Sequence, residues 1–115
     1  MTRASTPDAP LTPVAVQDSY PPDVAVCYGC GRLNDDGLHI RTFWDGTEGT
    51  ATFQPKPFHT AITGVVYGGL LASLIDCHAV GTAAAARYAA DDREVGSEPV
   101  LRYVCLLYTS PSPRD

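Results

Sequence analysis

Residues 64–88, GVVYGGLLASLIDCHAVGTAAAARY, form an almost unbroken run of apolar and small side chains, interrupted by Asp76, His78 and Arg87. A run this long and this rich in leucine and alanine predicts a long buried helix, opened by the paired glycines Gly68 and Gly69. Upstream, LHIRTFW alternates apolar and polar residues with a period of two, DGTEG supplies a turn, and TATFQPK alternates again. That pattern predicts a β-hairpin. PFHTAITG reads as the loop into the helix, AADDREVGSEP as a polar linker after it, and VLRYVCLLY as a further strand. The order strand, strand, long helix, strand predicts an α+β arrangement in which a sheet wraps one helix.

The flanks change this picture little. Residues 1–26 contain half of the ten prolines and no sustained periodicity, so a disordered or loosely draped arm is expected there. CYGCGRLNDDG, residues 27–37, is turn chemistry. At 115 residues the chain is expected to form one domain. Its formal net charge of −5 argues against general affinity for nucleic acid or an anionic membrane. The start, MTRASTPDAPLTP, has no apolar segment of the kind a signal peptide needs, so a cytoplasmic location with reduced thiols is expected. The apolar run is long enough to be weighed as a membrane span, but a central aspartate in lipid costs roughly 2.5–3.5 kcal/mol on insertion scales. No membrane association is therefore expected.

Asp76 is the chemical question in the helix. A buried carboxylate is costly unless it is paired or hydrogen-bonded. Read structurally, it would pair with Arg87 or His78. Read functionally, it is a carboxylate held in a site, where such groups cluster. Residue chemistry alone leaves both open. At the helix start, paired glycines permit close backbone approach, and the N–H groups there carry the positive end of the helix dipole. Such amides can hold a carbonyl oxygen that gains negative charge during reaction. Gly68 and Asp76 lie about 12 Å apart along one helix axis, too far to act on one carbonyl. Two antiparallel copies of the helix could each give a glycine to one site and an acid to the other, which predicts a twofold dimer with shared sites.

GVVYGGLLASLIDCHAVGTA resembles the signature segment of hotdog-fold thioesterases of the phenylacetic-acid-degradation (PaaI) type: His-Gly-Gly, an apolar run, then Leu-x-Asp on the central helix. CYGCGRLNDDGLHIR is similar to the Cys-x-x-Cys-Gly…Asn…Gly-Leu element of many members, and together the two cover residues 27–88. The resemblance implies a hotdog fold, an antiparallel sheet wrapped around a long central helix. It implies hydrolysis of acyl-coenzyme A thioesters to free acid and coenzyme A, without a cofactor, by a homodimer or homotetramer. Residue by residue, it puts Asp76 in the position of the general base or nucleophile and Gly68 in that of the amide that polarises the thioester carbonyl. Gly69 is the second glycine. Tyr67 stands where histidine is commonest; it can still donate a hydrogen bond but does not titrate near neutrality. A polar position earlier in the family pattern is Ala61 here, so a further substrate or water contact is either missing or supplied by His59 or Thr60. The expected site is thus Asp76 and Gly68 for catalysis, with Tyr67, Gly69 and His59 for substrate binding. The competing reading is a non-catalytic hotdog module that binds acyl ligands or only dimerises. A hotdog hydratase is disfavoured, because LIDCH only superficially imitates the Asp–His pair of that chemistry.

Cys27 and Cys30 form a Cys-x-x-Cys pair, half of a zinc site. Cys77, His78 and His39 are the nearby candidates for the other half, but they show no second pair at proper spacing, so no metal is expected and the cysteines read as small apolar fillers. A thioredoxin-like role lacks the flanking strand and helix. The final CLLYTSPSPRD does not resemble the family's continuation and looks like a translated sequencing adapter; the alternative is a genuine short Pro-Ser tail. The expected layout is therefore an arm over 1–26, a hotdog domain over 27–104 that is incomplete at its C-terminal end, and a non-native tail over 105–115.

Overall fold

The computed structural model describes residues 14–99. It is a mixed α+β structure with one long helix and two small antiparallel sheets. A 3-10 turn at Val16–Ser19 comes first. Strands β1 (Phe43–Trp44) and β2 (Gly49–Thr50) follow, then β3 (Thr60–Ile62) and β4 (Val65–Val66), and finally helix α1 (Gly68–Ala90).

The hairpin expected from LHIRTFW–DGTEG–TATFQPK is present as β1–β2, with Phe43 opposite Thr50 and Trp44 opposite Gly49. Its turn is held by Asp45, whose Oδ1 accepts the N–H groups of Thr47 at 2.7 Å and Glu48 at 2.8 Å. These bonds, Glu48 first and then Thr47, hold the Asp45 carboxyl below its ordinary value of 3.8. The paired region is short, but the period-two pattern continues in burial: Ala51, Phe53 and Pro55 are half-buried while Thr52, Gln54 and Lys56 are exposed. The segment expected as a loop before the helix instead forms a second hairpin. Thr60 faces Val66 and Ile62 faces Val65, leaving Thr63 and Gly64 as the turn, with Gly64 in the left-handed region at φ +80°. The strand expected near residue 100 and the tail at 105–115 lie outside the described residues.

Helix α1 starts where the glycines predict, but its burial is partial. Leu70, Gly81, Ala84, Ala85 and Tyr88 are buried, whereas Leu71 is 48% and Ile75 67% exposed. The small residues that admit close packing are Gly81, Ala84 and Ala85, not Ala72, Ala83 and Ala86, which are exposed. A Cβ at Gly81 would crowd the Gln17 and Thr42 side chains, and one at Gly49 would overlap the Thr82 hydroxyl, so these side chains pack directly onto the glycine backbones. By length and composition α1 could cross a membrane; here its Leu70–Tyr88 side forms one wall of the core.

Within residues 14–26, part of the segment expected as an arm, several side chains are packed into that core. Ala15, Val16, Gln17 and Ala25 are buried, and the Val16 N–H donates to the Thr42 carbonyl at 2.8 Å. Proline content misleads here because the prolines at 21 and 22 bound turns whose N–H groups, on Val24 and Ala25, are satisfied locally.

Candidate functional site

The helix entrance is built by Tyr67, Gly68 and Gly69. Tyr67 occupies the N-cap position without a side-chain cap, and no acidic residue lies in the first turn. The Gly68 and Gly69 amides therefore keep the positive helix end uncompensated by a local carboxylate. A Cβ at Gly68 would meet nothing within 4 Å, so the space on that side of the residue is open. A Cβ at Gly69 would overlap the Tyr67 ring, which lies across the first turn. The glycine pair thus has two reasons: open approach at Gly68, and room for an aromatic ring at Gly69.

Asp76 sits two turns along and is half-buried. Arg87 and His78, the two side chains weighed as its partners, each make a contact of their own. The Arg87 Nε donates to Asp91 at 3.2 Å, and His78 Nδ1 lies 3.0 Å from the Thr42 hydroxyl. His78 ends a buried polar chain. Gln17 Nε2 donates to Thr42 Oγ1 at 3.0 Å, and the Thr42 N–H donates to Gln17 Oε1 at 2.7 Å. His78 also lines an apolar groove of about 230 Å³ with Ala51, Phe53, Leu74 and Ile75. Sequence reasoning offered His78 only as a pairing or metal candidate; its link to Thr42 spans 36 residues and has no local signal.

His59 stands apart from both Gly68 and Asp76 in its bonding. Its Nδ1 accepts the Lys56 N–H at 2.9 Å, and its carbonyl accepts the Tyr67 N–H at 3.1 Å. The ring packs edge-on against Phe58 at 4.7 Å between centroids. It also lines a second groove of about 290 Å³ with Pro55, Lys56, Thr60 and Val65. His59 therefore closes the turn that leads to the helix entrance.

The structure also assembles a group that spacing did not: the sulfur atoms of Cys27, Cys30 and Cys77 all lie within 4.8 Å of one another. Cys30 is buried, Cys77 half-buried and Cys27 exposed. The Cys77 thiol is held down to about 7 by its hydrogen bond with Cys30, against the opposing effect of burial, with a further lowering bond from Cys27 and an opposing Asp76 charge. Cys30 is pushed up by that same bond with Cys77 and by burial. Tyr20 faces the cluster; burial first, and then the Cys30 charge, push its phenol up.

No family model, curated protein or solved structure matches this chain.

Proposed function

We propose that the chain is a hotdog-fold acyl-thioester hydrolase of PaaI type, acting on acyl-coenzyme A as a homodimer or homotetramer in the cytoplasm. The observation that carries this reading is the construction of α1: a glycine with open space beside it at its first residue, no carboxylate in its first turn, and a half-buried Asp76 two turns on. The thioester carbonyl rests on the Gly68 amide, where its developing negative charge meets the positive helix end. Asp76 of the other copy activates a water or attacks directly. The exposed Tyr67, Leu71 and Ile75 give α1 an apolar face suited to a second copy. Gly69 makes room for Tyr67, and His59 flanks the entrance.

A non-catalytic acyl-binding module is the second reading, favoured by the Tyr67 ring lying over the first turn, where a titratable histidine would serve proton transfer better. Release of free coenzyme A from short- and long-chain acyl-coenzyme A, followed with a thiol reagent, tests the choice. Turnover that saturates with substrate supports the hydrolase. Saturable acyl-coenzyme A binding with no thiol release supports the module.

A further inference from the structure

We propose that Cys27, Cys30 and Cys77 hold a zinc ion through three thiolates. The inference is independent of the hydrolase reading.

The geometry is close to what zinc requires. Zinc–sulfur bonds of about 2.3 Å in a tetrahedral site put the sulfurs about 3.8 Å apart. The Cys27 and Cys77 sulfurs lie 4.0 Å apart, and the widest pair lies within 4.8 Å, so small side-chain rotations close the site. Filler cysteines need only occupy volume; they do not need three sulfurs converging on one point.

The backbone around the pair is organised for a thiolate. The Gly29 N–H donates to the Cys27 sulfur at 3.3 Å, and the Gly31 N–H donates to the Cys27 carbonyl at 2.8 Å. A donor such as the Gly29 amide orients a ligating sulfur and stabilises its charge, while the Gly31 bond fixes the turn. The turn is fixed from behind, because Leu38 N–H donates to the Tyr28 carbonyl at 2.8 Å and Ile40 N–H to that of Gly29 at 2.9 Å. Gly29 is bare where any Cβ would overlap the Cys77 sulfur. The turn is thereby seated directly on the helix.

Thiolates select a soft cation over magnesium or calcium. The histidines do not compete: His39 Nε2 lies 2.6 Å from the Asn34 carbonyl oxygen, and His78 is bonded to Thr42. Exposed Cys27 gives the ion a way in, and buried Cys30 shields it once bound. Each thiol still protonated releases its proton to solvent on binding. The ion would tie the 27–40 loop to the helical turn that carries Asp76.

The test uses the full chain, reduced and stripped of metal, titrated with Co²⁺ and then Zn²⁺. The expected result is one metal per chain, thiolate-to-cobalt charge transfer with tetrahedral ligand-field bands, displacement of cobalt by zinc, and a higher melting temperature with zinc. Zinc should also protect Cys27, Cys30 and Cys77 from alkylation in the unmutated chain, a readout that needs no variant to fold. Cys77→Ser should lose more than the about 10–100-fold that follows loss of an outer-shell partner. Parent-like affinity in Cys77→Ser, alkylation of Cys27, Cys30 and Cys77 in the presence of zinc, or absence of tetrahedral cobalt bands would each overturn the proposal.

Discussion

The sulfur of Cys77 lies 4.0 Å from that of Cys27, fifty residues earlier in the chain. Between them the backbone of Gly29 passes so near that a β-carbon would overlap the Cys77 sulfur. Gly29→Ala is therefore expected to destabilise the metal-free chain by about 1–3 kcal/mol, the usual cost of overpacking. In a Cys77→Ala background, which removes the sulfur, most of that cost should vanish. Urea melts of the four chains measure the coupling; an undiminished cost in the double variant would place its cause elsewhere.

Thr42 is fully buried and joins Gln17 to His78. Thr42→Val preserves shape but leaves the Gln17 amide and the His78 ring without their shared partner. A loss of about 1–3 kcal/mol is expected, the cost of stranding a buried polar group. Thermal unfolding of Thr42→Val beside Thr42→Ser, which keeps the hydroxyl, separates this cost from simple loss of a methyl.

Ile75 is 67% exposed on the face of α1 opposite the core. In a monomer, Ile75→Glu would change stability by no more than about 0.5 kcal/mol. In the proposed dimer it buries a charge at an apolar contact and should convert the sedimenting species to monomer. A parent chain that sediments as a monomer would remove the shared-site geometry.

The carboxyl of Asp45 is held below its ordinary value by the Glu48 and Thr47 amides. Its folded-state value is depressed, so its contribution is present above the unfolded value and is lost as pH falls through the folded one. Stability of the parent chain should therefore drop more steeply on acidification below about pH 4 than that of Asp45→Asn. Urea melts at neutral and acidic pH check the difference in slope.

Much of the framework was legible from pattern. The apolar run located α1 and its glycine start, and the Asp45–Gly49 turn located β1–β2. The β3–β4 hairpin was not seen, because TAI and VV are too short to show a period; Thr63–Gly64 between them was the available signal. The exposure of Leu71 and Ile75 was invisible because an apolar sequence does not say which surface, core or second copy, covers it. Asp76 and Gly68 stood out as residues contrary to their surroundings. The thiol cluster did not, since its closure depends on how a turn at 27–30 docks onto a helix residue 50 positions from Cys27, which no local spacing encodes.

Asp76→Asn tests the central claim most directly, because it keeps the size and hydrogen-bonding capacity of the side chain and removes the base or nucleophile. Turnover of acyl-coenzyme A per folded molecule is the quantity to measure, with a thermal melt of the same sample to count the folded fraction. A fall of about 10²–10⁴ with little change in melting temperature is predicted, the range of a general acid–base contribution. Parental turnover per folded molecule, accompanied by a lowered melting temperature, would contradict a catalytic Asp76.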